Sequence, residues 1–119
     1  MRNLFTTTWA ILLLACCTTA AWSQVDVTAT AGTTGPTSYS TVNAAFTAIN
    51  AGTHQGVITI RITANTTEPA TPVPLLRSNS PSNYTSVTII PSGNVTVNSA
   101  AAPTTSRGII ELVGADNVT

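Results

Sequence analysis

Thr88-Ile-Ile-Pro-Ser-Gly-Asn-Val-Thr96 aligns without a gap on Glu111-Leu-Val-Gly-Ala-Asp-Asn-Val-Thr119, 23 residues further along the chain. Apolar residues fall on apolar residues, turn residues fall on turn residues, and both copies close with Asn-Val-Thr. The match extends backwards, with Val87 on Ile110. A period of this order is the signature of a solenoid, in which each turn is one supersecondary unit that buries its apolar side only by stacking on the next. Each copy reads as two short strands joined by a tight corner: strand Ser86 to Ile90, corner Pro91-Ser-Gly93 and strand Asn94 to Val97, then strand Gly108 to Val113, corner Gly114-Ala-Asp116 and a further strand opening at Asn117. The spacing therefore predicts an all-β parallel solenoid with coils about 23 residues apart. A β-sandwich, which is also built of short strands and regular turns, is the alternative.

The residues before the repeat fit the same reading. Val25 to Thr30 alternates and predicts a first strand, and Ala31 to Ser38, broken by Gly32, Gly35 and Pro36, predicts a loop. Val42, Ala45, Phe46 and Ile49 stand at i, i+3, i+4 and i+7, one face of a helix over residues 41–50. Ser40 or Thr41 supplies the N-cap hydroxyl, and Gly52 suits the left-handed position after the last turn. So short a helix is not stable alone and must cover something apolar; the open end of a solenoid core is the natural place. Val57 to Ile62 alternates as a half-buried strand. Pro69, Pro72 and Pro74 keep residues 66–74 out of any central strand, with Leu75 and Leu76 as an apolar anchor behind them.

Composition narrows the function classes. Only 7% of the 119 residues are Asp, Glu, Lys or Arg, against about 25% in ordinary soluble domains, and lysine is absent. With Arg2, Arg61, Arg77 and Arg107 as the only basic residues, the chain lacks the electrostatic footprint of a nucleic-acid binder. The polar bulk is Thr, Ser and Asn, residues of pleated surfaces and turns. Residues 1–23 read as a signal peptide: Arg2, then an apolar run from Trp9 to Cys17 too short to span a bilayer, then Ala21-Trp22-Ser23 with small residues at the −3 and −1 positions. Cleavage is expected between Ser23 and Gln24, with Ala20 as the second choice. Residues 24–119 then form the mature domain, with no cysteine and no transmembrane helix, three arginines against four acids, and a net charge of −1. Leu13-Leu-Ala-Cys16 also resembles a bacterial lipobox, although Leu14 fits it weakly; on that reading Cys16 carries a lipid anchor. Otherwise the adjacent Cys16 and Cys17 make a poor disulfide and a poor metal site.

Tyr39-Ser-Thr-Val-Asn-Ala-Ala45, followed by Ile58-Thr-Ile60, Glu68 and Val73, resembles the opening of right-handed parallel β-helices of the pectin-lyase-like superfold. There a short helix covers the end of the stack and an Ile-x-Ile strand begins the first coil. Pectinesterases share this opening. Large repetitive β-helix proteins secreted by bacteria carry runs similar to Ala44-Ala-Phe-Thr-Ala-Ile-Asn-Ala-Gly-Thr53, Tyr84-Thr-Ser-Val-Thr-Ile89 and Gly114-Ala-Asp-Asn-Val-Thr119. The resemblance covers residues 37–119. It implies a right-handed parallel β-helix with one capping helix, truncated here, whose downstream coils belong to the same longer chain. Such motifs specify fold far better than activity. The catalytic aspartates, arginine and glutamines of the pectinesterases lie on later coils, so the resemblance hands no catalytic role to any residue here. The Gly-x-Tyr-x-Glu motif of the family reads Ala64-Asn-Thr-Thr-Glu68 in this chain.

The residues that could carry chemistry are few. His54, the only histidine, lies in a Gly-flanked stretch and is expected to be a solvated turn residue, without the companions a zinc site needs. Asp26, Glu68, Glu111 and Asp116 are scattered, whereas glycoside hydrolysis needs two facing carboxylates. Asp116 and Asn117 are expected to close a turn, and Asn94 and Asn117, at matched repeat positions, to stack as a structural Asn ladder. Asn65, Asn83, Asn94 and Asn117 each begin an Asn-x-Thr triplet, a pattern that chance supplies in a chain this rich in Thr and Asn. No catalytic, cofactor-binding or metal site is expected. The sequence points to a non-catalytic β-helix module of a secreted or surface-attached protein, structural or adhesive or polysaccharide-contacting, with polysaccharide or other cell-surface components as its partners. The alternative is the non-catalytic front of a carbohydrate-active enzyme of pectinesterase or polysaccharide-lyase type.

Overall fold

The computed structural model describes residues 22–102 and 108–119. The leader expected over residues 1–23, including Cys16 and Cys17, lies outside these residues except for Trp22 and Ser23. The described residues form strands β1 (Val25–Gly32), β2 (Thr37–Tyr39), β3 (His54–Ile62), β4 (Thr66–Glu68), β5 (Leu75–Leu76), β6 (Tyr84–Pro91), β7 (Val97–Ser99) and β8 (Leu112–Val113), with one helix, α1 (Val42–Asn50), between β2 and β3. The expectation of an all-β chain with a single short helix holds.

The main sheet is mixed and runs β2-β1-β3-β6. β1 is antiparallel to β2, to which a short turn joins it, and to β3, which follows after β2 and α1. β3 and β6 are parallel, with Ile58 beside Val87 and Ile60 beside Ile89. Two small parallel pairs complete the body: β4 with β7, Thr66 beside Val97, and β5 with β8, Leu75 beside Leu112. A parallel bridge then sets Val118 beside Val87. It is held by Val87 N–H to the Asn117 carbonyl (3.1 Å), Thr119 N–H to Val87 O (3.0 Å) and Ile89 N–H to Thr119 O (2.8 Å).

These pairings correct the period. Stacked positions lie 29 residues apart between β3 and β6, 31 between β4 and β7, 37 between β5 and β8 and 31 at the Val87–Val118 bridge, not 23. The matched stretches are both strand–corner–strand units, but they sit at different positions around the body. The first runs from the end of β6 towards β7; the second runs from β8 back to the outer edge of β6. Both need an apolar side, a left-handed corner and a second apolar side, so they look alike without lying over one another. The strands also shift: the second begins at Val97 instead of Asn94, and regular pairing near residue 110 is confined to Leu112 and Val113.

Alternation decides which side chains go inside. Val25 and Val27 of β1, Ile58, Ile60 and Ile62 of β3 and Val87 of β6 are buried, while Thr28, Arg61 and Asn98 face out. α1 lays Val42, Ala45, Phe46 and Ile49 onto this core, the four positions its periodicity picks out. Leu75 is buried with them. Thr41 is the N-cap, its hydroxyl accepting from Ala44 N–H (3.0 Å). After Ala51, the chain turns at Gly52 with φ +77°, where a Cβ would run into the Pro81 carbonyl.

Candidate functional site

The polar residues that survive burial gather at the helix end of the body. Glu68, at the close of β4, is fully buried beneath the first turn of α1. Val42 N–H donates to Oε1 (2.9 Å), and Asn43 N–H donates to Oε2 (2.9 Å). The Asn43 amide adds a bond to Oε2 (2.6 Å) and the Thr66 hydroxyl one to Oε1 (2.6 Å). α1 has no acidic residue of its own in its first turn; a carboxylate from another element takes that place, answering two orphan N–H groups and the positive end of the helix dipole. Burial pushes the carboxyl pKa up, but the bonds from Thr66, Asn43 and Val42 outweigh it and hold the group below its ordinary 4.5. Sequence reading left Glu68 among scattered acids, because its partners lie some 25 residues earlier in the chain.

Asn43 and Asn50, seven residues apart on α1, fasten the helix to the Pro-rich segment. Asn43 Oδ1 accepts from Val73 N–H, while Asn50 donates to Pro74 O (2.8 Å) and accepts from Leu76 N–H (3.1 Å). This mimics strand pairing for a stretch whose prolines cannot supply it.

His54 is not a solvated turn residue. It opens β3 and is fully buried. Nδ1 lies 2.6 Å from the Thr33 carbonyl, which fixes the proton there, and Nε2, 2.7 Å from Tyr39 Oη, then accepts the phenolic proton. The rings meet edge to face at 5.8 Å, and burial raises the Tyr39 pKa. Gly56 does not end the strand either; it forms a register shift inside it, so the Gly flank that marks a loop in sequence marks an irregular strand in space.

The remaining candidates separate. Asp26 Oδ1 accepts from Ser23 (2.8 Å) and Ser38 (2.7 Å) on the outer face of β1. Gln24 joins the sheet through its main chain, its N–H donating to Tyr39 O (3.1 Å) and its carbonyl accepting from Thr63 N–H (2.8 Å), and exposed Ser23 before it accepts from the Thr63 hydroxyl (3.4 Å). Glu111 precedes β8, and its carbonyl accepts from Leu75 N–H (2.9 Å). Tyr84 donates to Leu76 O (2.6 Å); burial raises its pKa, with Asp116 close enough to contribute. The Asn ladder is replaced by another device: no hydrogen bond joins Asn94 to Asn117 among the described residues. Asn117, at φ +54°, donates to Thr85 O (3.2 Å), and Asn65 accepts from Thr96 N–H (2.8 Å). Each thus ties one layer to the next through the main chain.

Among the described residues no pocket opens, no three His, Cys, Asp or Glu side chains approach closely enough to hold a metal, and no helix is long and apolar enough to cross a membrane. Comparison of the chain with protein-family models, curated proteins and solved structures gives no match.

Proposed function

We propose that this chain is the capped start of a right-handed parallel β-helix, serving as a non-catalytic module of a secreted or surface-attached protein that contacts polysaccharide. The observation that carries the reading is parallel pairing at three separate places around the body, continued by Val118 beside Val87. A sandwich of antiparallel sheets has no reason to repeat parallel neighbours in this way, and parallel crossovers within a sheet are right-handed in nearly every protein. The antiparallel β1–β2 hairpin and α1 close one end. The other end exposes Leu112 (48%), which stands beside fully buried Leu75. Glu68, His54, Tyr39 and Asn43 are all engaged in holding the cap, which favours a structural role over an enzymatic one. Secretion rests on the leader over residues 1–23, with maturation at Ser23–Gln24.

The test uses the purified chain and a panel of insoluble and immobilised polysaccharides. Retention without release of reducing ends, unsaturated sugars or methanol is the expected result. Failure to bind any member of the panel, or turnover by the chain itself, refutes the proposal. Mass spectrometry of the exported protein reads the leader: a mature N-terminus at Gln24 is expected, and an acylated Cys16 replaces secretion by lipid anchoring.

A further inference from the structure

We draw no further inference here: the strongest candidate, the surface patch of exposed Leu76, Leu112 and Val113 at the β5–β8 pair, carries none, because nothing in the structure shows what covers it.

Discussion

Removing the Glu68 carboxylate should uncouple the helix from the sheet. Four donors converge on it: two main-chain N–H groups of the first turn of α1, the Asn43 amide and the Thr66 hydroxyl. In Glu68→Ala these donors lose their acceptor in a fully buried position. Each buried donor left unpaired costs about 1–3 kcal/mol, and water can reach part of the space vacated, so a loss of about 3–5 kcal/mol is expected, the range for removing one member of a buried charged network. Against a total stability of about 5–15 kcal/mol, that is roughly a fifth or more. Glu68→Gln keeps one oxygen but turns an NH2 group towards donors, for a loss of about 2 kcal/mol. The pH dependence supplies an independent check. The folded pKa lies below the ordinary 4.5, so the stabilisation is complete above the unfolded value and disappears as pH falls through the folded one. Urea unfolding of the natural chain and of Glu68→Gln should therefore differ most at pH 7 and converge below pH 4.5. The reasoning fails if the two chains agree within ~0.5 kcal/mol at pH 7, or if their difference is the same at pH 7 and pH 3.

Three further outcomes follow from the same geometry. Leu75→Ala should cost about 2–5 kcal/mol and its stacked neighbour Leu112→Ala less than ~1 kcal/mol, since the first is fully buried and the second is half exposed; equal losses in urea unfolding would contradict a stack closed at only one end. Tyr39→Phe removes the donor to His54 Nε2 (2.7 Å) and should lower stability by about 1–2 kcal/mol, with a visible shift of the His54 ring resonances; an unshifted spectrum would mean that the bond is not made. Gly52→Ala, at φ +77° and against the Pro81 carbonyl, should destabilise by more than ~1 kcal/mol, and a neutral or raised unfolding midpoint would refute the left-handed turn.

What could be read from the sequence was local. The helix declared itself through Val42, Ala45, Phe46 and Ile49, its cap through Thr41 and its end through Gly52, because each signal lies within one or two turns of the others. Strand β3 declared itself through the alternation of Ile58, Ile60 and Ile62. The period of 23 did not hold for a physical reason: similar corners recur more than once around the body, and sequence similarity cannot tell a corner one strand onward from a corner one paired strand over. Glu68 and His54 were undervalued because all their partners but Thr66 are 15 to 26 residues away. A carboxylate whose donors are main-chain N–H groups has no sequence signature at those donors, and only Asn43, two residues past the cap, could have hinted at it.

The two ends of the body are finished by different physics, and this bears on how such a module works. At the helix end, buried polar groups do the joining: Glu68 binds α1 to β4, Asn43 and Asn50 bind α1 to the segment around β5, and His54 with Tyr39 binds β3 to β2 and to the Thr33 loop. Each of those contacts is directional and tolerates little displacement, so this end has one arrangement. Away from it, joining passes to apolar stacking and main-chain ladders, and burial declines from Ile58 and Ile60 through half-buried Ile89 and Val97 to exposed Leu112. Stacking of that kind specifies an inside and a register but nothing about how many layers follow. The polar contacts thus fix how α1 sits on the sheet and in which register β4 and β5 meet it.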